Sequence, residues 1–169
     1  MPTAYNSSQL CLKHAVRLVL VDLITANALP GLSGVEPRVR KIPSFRDFGT
    51  NKAHSLPGIV VANSAAEAEI PKENQTNDTW QSVVVAICYQ ETATNEDELM
   101  EEGEDDRLVC RDQIISALVP KRLTYGSFSW YNSEYSGGQI VDWQQFASDK
   151  RWVSSLNFRF LRRRLHGSA

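Results

Sequence analysis

The feature that most constrains the fold of this chain is an uninterrupted run of β-favouring residues from Thr79 to Tyr89. Three consecutive valines, Val83 to Val85, lie at its centre between Trp80 and Ile87. β-Branched and aromatic side chains fit the pleated surface of a sheet better than that of a helix. The run therefore predicts the central strand of a β-sheet.

Two segments have helical patterning instead. Apolar residues recur at helical spacing from Leu10 to Ala28, where Ser7 or Ser8 can cap the first turn and Leu29-Pro30-Gly31 ends it. A second helix is predicted from about Glu104 to Leu118, because acidic residues at its start complement the helix dipole and Pro120 follows its end.

The remaining elements read mostly as strands and loops. Ser44 to Ser55 lacks a sustained period and predicts a long loop, and Ile140 to Lys150 is either a short helix or a loop. The predicted further strands are Arg38 to Ile42 at an edge, Leu56 to Ala62, Thr124 to Tyr135 and Trp152 to Leu161, the last two as an antiparallel pair. This order predicts an α+β fold, a mostly antiparallel sheet with two helices packed on one face and long loops.

Length and composition bound the possibilities further. The 169 residues, 42% of them hydrophobic, suit one domain over residues 1–169. Eighteen basic and 20 acidic side chains give a formal net charge of -2, so no global field attracts nucleic acid or an anionic membrane. No apolar run approaches the roughly 20 residues of a membrane span, and no signal peptide is evident, which predicts a cytoplasmic protein. The three cysteines, Cys11, Cys88 and Cys110, lie in apolar surroundings and are predicted to be buried.

No constellation of catalytic residues stands out. The sequence contains no glycine-rich phosphate loop, no nucleophile elbow, no His-Glu-x-x-His motif and no paired cysteines. His14, His54 and His166 are isolated from one another and from groups that would orient them as bases. We therefore expect no enzymatic activity, no cofactor and no metal site.

Nine carboxylates crowd the stretch from Glu91 to Asp106. They lack the spacing of a calcium loop, and a solvated acidic loop is the simplest interpretation. A dense acidic surface can also line a conduit for DNA or bind a basic partner, and the sequence does not choose between these roles. The candidate acidic segment comprises Glu96, Asp97, Glu98, Glu101 and Glu102.

A basic cluster follows at the other end of the chain. Its four arginines form either a solvated strand end or a contact with the acidic segment of another copy, and a direct DNA contact is disfavoured. Aromatic residues also crowd the last third of the chain, and a subunit interface would account for those that the core does not need. The candidate interface residues are Arg159, Arg162, Arg163, Arg164, Trp130, Tyr131 and Trp152.

The order of these features resembles a known family. The elements that carry the resemblance are a helix ending in Ala28-Leu29-Pro30-Gly31-Leu32, the strand Leu56-Pro57-Gly58-Ile59-Val60-Val61, the long strand from Trp80 to Gln90, a helix containing Arg111-Asp112-Gln113-Ile114-Ile115-Ser116-Ala117-Leu118, and a terminal strand that ends in arginines. This layout is similar to that of the tail terminator proteins of long-tailed bacteriophages, also called tail completion or head-tail joining neck proteins. The similarity covers most of the chain and lies in layout and weak local patterns.

The resemblance implies a virion structural protein that assembles in the host bacterial cytoplasm. Proteins of this family form a hexameric ring on the end of the tail tube, bind the tube protein and a head-completion or connector protein, and leave a channel through which DNA passes without sequence-specific binding. This chain departs from shorter family members by the polar stretch Ser64 to Asn77 and the aromatic region Tyr125 to Trp152. No family residue is carried over as a site.

Two alternatives stay open. Within the same class, the chain could be another neck component, such as a head-closure or adaptor protein, or a tail tube subunit. A rival from another class is a small cytoplasmic enzyme or regulatory binding domain, which would have a concave pocket and form a monomer or dimer.

Overall fold

A computed structural model describes residues 7–64, 79–90 and 104–162 of the chain. In chain order its elements are α1 (Ser8–Thr25), β1 (Arg38–Val39), β2 (Gly58–Asn63), β3 (Thr79–Gln90), α2 (Glu104–Leu118), β4 (Leu123–Tyr125), β5 (Phe128–Gly137), α3 (Trp143–Asp149) and β6 (Arg151–Arg162). The six strands form one sheet in the order β1-β2-β3-β6-β5-β4. Strands β1 and β2 are parallel and every other neighbouring pair is antiparallel, so the predicted α+β class is confirmed.

Strand β3 is central, as its composition predicts. It pairs with β2 on one side and with β6 on the other, where the register runs from Thr79 opposite Arg162 to Gln90 opposite Arg151. Successive side chains of a strand point to opposite sides of the sheet, so β3 and β6 together define two faces.

We call the first of these the helix face, because both long helices cover it. Strands β2, β3 and β6 bury alternate residues there against α1 and α2. The main contributors are Ile59 and Val61 of β2, Val83, Val85 and Ile87 of β3, Leu156, Phe158 and Phe160 of β6, Leu12, Val16 and Leu20 of α1, and Cys110, Ile114 and Leu118 of α2. The prediction that two helices pack on one face of the sheet is confirmed.

The opposite side, which we call the loop face, has a smaller apolar cluster. Phe45 and Phe48 of the predicted long loop pack there against Val60, Ala86 and Cys88. The loop therefore covers part of the face that the helices leave.

Helix α1 ends earlier than its apolar pattern suggests. Ser7 caps its start, because the Ser7 side chain accepts a hydrogen bond from the Leu10 amide at 3.4 Å. The helix stops at Thr25 rather than Ala28, because Asn27 adopts a left-handed backbone conformation with φ of 56° that a helix cannot contain. The bounds of α2 agree with the prediction.

Two strand predictions are wrong in their extent. The edge strand expected from Arg38 to Ile42 has only two residues, Arg38–Val39. The single strand expected from Thr124 to Tyr135 is two strands, since the chain turns at Gly126 and β4 folds back on β5.

The predicted pairing of the last two strand runs is confirmed as β5 with β6. Of the two interpretations of residues 140–150, the short helix is the one observed, as α3. The three cysteines are buried, as predicted.

Candidate functional site

The end of strand β6 contains two of the predicted interface arginines within the described chain. Arg159 lies on the loop face, where its Nε donates to Glu134 Oε2 of β5 at 2.7 Å and a second guanidinium nitrogen contacts the same oxygen. The guanidinium carbon also lies 4.5 Å from the centre of the Trp80 ring. The charge of Arg159 is therefore balanced within its own chain, although both side chains of the pair stay about half exposed, at 40% and 45%.

Arg162 ends the same strand on the opposite side of the sheet. It lies opposite Trp130 in the register, and its guanidinium carbon is 5.5 Å from the centre of the Phe128 ring. The other predicted charged candidates lie outside the described residues; these are Arg163, Arg164, Glu96, Asp97, Glu98, Glu101 and Glu102.

Trp130, one of the predicted interface residues, lies in the core of the single chain. Its side chain is 1% exposed, and its indole nitrogen donates to Gln81 Oε1 at 2.7 Å. Gln81 in turn donates to Ser8 Oγ at 2.8 Å, which ties strand β3 to the start of α1. A buried indole needs such an acceptor, and Trp130 is a core residue of the single chain.

Trp152 belongs to an aromatic cluster at the end of the sheet. It is largely buried between Phe146 of α3, whose ring centre is 4.3 Å away, and the Arg107 guanidinium of α2 at 4.5 Å. Trp143 packs edge-on against it at 6.2 Å and is itself 67% exposed. The exposed member of the cluster is thus Trp143, which the predicted site residues omitted, while Tyr131 is half-buried on β5.

Residues 138–142 hold this aromatic cluster in place. Gly138 packs so closely on β6 that a Cβ atom there would lie 2.1 Å from the Ser155 carbonyl oxygen. The Ser155 amide donates to the Gln139 carbonyl, and the Asp142 amide donates to the Val153 carbonyl, each at 2.8 Å. Asp142 then caps α3 through its side chain. The segment is therefore tightly bound to the sheet.

A buried arginine reinforces the same segment from the helix side. Arg111 of α2 donates to the Gln139 carbonyl at 2.9 Å, to Ser154 Oγ at 2.6 Å and to the Ser155 carbonyl at 2.8 Å. Its remaining terminal nitrogen donates to the Tyr135 hydroxyl at 3.1 Å. Neutral oxygens thus satisfy this guanidinium, whose role is to fix the position of the segment.

The segment and the first residue of α3 display large apolar side chains that are mostly exposed. Ile140 is 57% exposed, and Trp143 begins α3 two residues after Val141. Large apolar side chains on rigid backbone are typical of the centre of a protein interface, because little conformational entropy is lost when a partner covers them. The sequence signal for this surface is the recurrence of large apolar residues every three positions, at Ile140, Trp143 and Phe146.

On the loop face, an arginine anchors the long loop to the sheet. Arg151, the first residue of β6, donates to the Phe45 carbonyl at 2.8 Å and to the Phe48 carbonyl. The rings of Phe45 and Phe48 meet edge-on with their centres 5.2 Å apart. The loop is thereby held on the sheet by both its backbone and its aromatic side chains.

An ion pair closes the same loop. Arg40 donates to Asp47 Oδ2 at 2.7 Å, and His54 Nε2 lies 3.5 Å from the same oxygen. Desolvation alone would raise the pKa of Asp47, but the hydrogen bond from Arg40 and the nearby positive charges lower it. The carboxylate therefore stays ionised and keeps the loop closed at neutral pH.

A groove of about 850 Å³ opens between this loop and α3. Its lining includes Ile42 and Phe45 from the loop side, Gln145 and Asp149 from α3, and three basic side chains. The basic side chains are Arg46, Lys52 and Arg151. A second groove of about 490 Å³ lies on the loop face, where Val84 and Ala86 of β3 contribute to its lining.

The buried thiols and the phenol near them are not poised as nucleophiles. Burial raises the pKa of Cys88 to about 12, so its thiol is protonated at neutral pH. Burial also raises the pKa of Cys110, whose thiol donates to the Pro30 carbonyl at 3.2 Å. The pKa of Tyr89 is raised by burial and by its hydrogen bond to Cys110.

Two further properties concern the described residues alone. Within residues 7–64, 79–90 and 104–162, no group of three or more His, Cys, Asp or Glu side chains is placed to hold a metal ion. None of the described helices is both long and apolar enough to cross a membrane.

Comparison with known proteins bears on the fold. No known protein family and no curated protein matches the sequence. A solved structure does match, a chain of the virion of a native gene transfer agent particle, with a TM-score of 0.54 and 12% sequence identity. The match covers 95% of this chain and 99% of that chain. The protein therefore shares its fold, over almost its whole length, with a chain of that virion.

Proposed function

We propose that this protein is a structural component of a phage-like virion, and that it forms a ring which closes the tail tube and joins it to the head. The observation that carries the proposal is the fold shared with a chain of a gene transfer agent virion along nearly the full length of both chains. The layout of helices and strands, which resembles that of tail terminator proteins, supports the position in the neck.

The exposed apolar surface supports assembly into a larger complex. Ile140 and Trp143 are 57% and 67% exposed; the first lies in the segment that Arg111 and Gly138 fix to the sheet, and the second directly follows it. When a partner buries an exposed tryptophan in such a position, that side chain contributes much of the binding energy of the interface. We infer that this surface, together with Tyr131, contributes to contacts between subunits or with a neighbouring virion protein.

The proposed assembly has four kinds of contact. Copies of the chain bind each other in a ring, most simply a hexamer, and the ring binds the tail tube protein on one side and the head-completion or connector protein on the other. DNA passes through the channel without sequence-specific binding. In this proposal the single domain over residues 1–169 has no catalytic role and no cofactor, and it assembles in the host bacterial cytoplasm.

The primary test is the mass of the purified protein in solution. Light scattering at several concentrations, followed by negative-stain imaging of the same sample, should show rings of about six subunits with an open centre. If the protein is monomeric, it should still cap purified tail tubes and stop their growth. A monomer that also fails to bind tail tubes contradicts the neck function.

A paired variant tests the apolar surface. Trp143→Ala combined with Ile140→Ala should weaken ring formation or tube capping while the fold is kept, since both side chains are exposed in the single chain. Leu18→Ala is a matched control, because Leu18 is also an exposed large apolar residue but lies on α1. Equal effects of the two changes would show that the surface at Ile140 and Trp143 has no special role.

The alternatives give different outcomes. A tail tube subunit would polymerise into long tubes instead of closed rings, and a head-closure or adaptor protein would bind the connector without capping tubes. A small enzyme or regulatory domain would stay a monomer or dimer and bind a ligand in a pocket.

A further inference from the structure

The groove between the long loop and α3 differs from the other basic regions of the described chain. Its basic lining residues, Arg46, Lys52 and Arg151, face a single carboxylate, that of Asp149. Among residues 7–64, 79–90 and 104–162, no carboxylate lies within ion-pair distance of these three cations. We call this site the basic groove.

Two arginines elsewhere in the described chain have their charges balanced by a carboxylate. Arg40 pairs with Asp47 and Arg159 pairs with Glu134. Arg151, in contrast, is held by the carbonyl oxygens of Phe45 and Phe48. Carbonyl dipoles fix the direction of a guanidinium but leave its net charge, so the basic groove keeps an excess of positive charge.

The basic groove also offers apolar contacts. The Ile42 side chain at its rim is 66% exposed, and Phe45 contributes an aromatic side chain to its lining. A groove of about 850 Å³ with this lining suits a peptide segment that carries several carboxylates and a few apolar side chains.

The chain contains a segment of that chemistry. Positions 91–103 read ETATNEDELMEEG, with six carboxylates, no lysine or arginine, and Leu99-Met100 in the acidic part. We propose that the basic groove binds this acidic segment of a second copy of the chain. This inference rests on the proposed ring, since it names the contact through which neighbouring subunits associate.

The proposed ring favours a second copy over the same chain as the source of the acidic segment. Arg46 and Lys52 are exposed to solvent in the single chain, so their charges are available to another molecule. A chain that carries a basic groove and an acidic segment as separate surfaces makes a heterologous contact, and such contacts repeat from subunit to subunit until a ring closes. The tail arginine Arg159 is less suited to this contact because Glu134 already balances its charge.

Charge-reversal variants, measured alone and as a mixture, distinguish binding to a second copy from binding within the same chain. One variant carries Arg46→Glu and Lys52→Glu, and the other carries Glu98→Lys, Glu101→Lys and Glu102→Lys. Each variant alone should associate at least about tenfold more weakly than the wild type at low salt, because like charges then face each other. An equal mixture should recover association, since each groove then meets a segment of opposite charge on the other variant.

The controls keep the test decisive. Lys121→Glu with Arg122→Glu reverses two exposed charges that do not line the basic groove, and it should leave association unchanged. Thermal unfolding should show that every variant keeps its fold. If the mixture is no better than the separate variants, or if the groove variant associates like the wild type, the inference is wrong.

A peptide experiment distinguishes this inference from the proposed function. A fluorescent peptide of residues 91–103 should bind the wild-type protein in anisotropy titrations, and the Arg46→Glu, Lys52→Glu variant should bind it at least about tenfold more weakly. A peptide with Gln and Asn in place of Glu and Asp should not bind. Peptide binding without any ring would contradict the proposed ring but support the groove, whereas rings that persist without peptide binding would contradict the groove alone.

Discussion

The two faces of the sheet are built by different means. On the helix face, α1 and α2 bury continuous rows of aliphatic and aromatic side chains from β2, β3 and β6. On the loop face, two phenylalanines cover part of the sheet, an arginine holds their loop by its carbonyls, and two grooves stay open. The difference indicates that the helix face supplies most of the stability, while the loop face and its rim supply surfaces for other molecules.

The largest expected effect comes from truncating a buried side chain on the helix face, which leaves a cavity there. Phe158→Ala should lower the free energy of unfolding by about 3–5 kcal/mol, because Phe158 is fully buried among α1, α2 and β5. Phe45→Ala on the loop face should cost less, since a loop closes on a cavity more easily than packed helices do. Urea unfolding of both variants measures the two losses in free energy of unfolding. Equal losses would contradict the difference between the two faces.

A smaller effect is expected at the buried indole. Trp130→Phe removes the donor to Gln81 Oε1 on the helix face and should cost about 1–3 kcal/mol. Trp143→Phe at the exposed rim is the matched control and should change the free energy of unfolding by less than about 0.5 kcal/mol. Comparable losses from the two variants would mean that the rim contributes to stability as the core does.

The ion pair on the loop face should contribute still less. Glu134→Gln leaves the Arg159 guanidinium stacked on Trp80 and weakens a pair whose side chains are about half exposed. Solvent screens such a pair, so the expected loss is about 0–1 kcal/mol and should shrink further as salt is added. A salt-independent loss of several kcal/mol would show that this pair behaves as a buried one.

At neutral pH the buried thiol of Cys88 should not react with thiol reagents, and it should not make the free energy of unfolding depend on pH. Its pKa is raised from 9.0 to about 12 in the folded chain, so the protonated form is favoured by folding. The resulting stability is present below pH 9 and is lost as the pH rises from about 9 towards 12. Cys88→Ala should make the loss at alkaline pH less steep, although Cys110 and Tyr89 contribute in the same direction.

Much of the fold follows from local signals in the sequence. The valine-rich run from Thr79 became the central strand, and the apolar spacing from Glu104 to Leu118 became α2, because both patterns are long enough to outweigh local competition. Shorter signals were less informative. The turn at Gly126 divides a run of alternating aromatics that otherwise reads as one strand, and the left-handed Asn27 stops α1 before its apolar pattern does.

The candidate surfaces were harder to predict, since exposure depends on what packs against a residue from distant parts of the chain. Trp130 and Trp143 are both tryptophans in polar stretches, yet the first is buried and donates to Gln81 of β3, whereas the second is exposed at the start of α3. The basic groove joins Lys52 with Arg151, about a hundred positions apart, so no local pattern could reveal it.

The position of β6 has a consequence for how the protein is made. This strand is the last of the described elements in the chain, yet it lies in the middle of the sheet and joins β3 to β5. Until residues 151–162 leave the ribosome, β1, β2 and β3 on one side cannot be connected to β4 and β5 on the other. Completion of the sheet therefore waits for β6, and the facing edges of β3 and β5 have no partner strand until residues 151–162 pair with them.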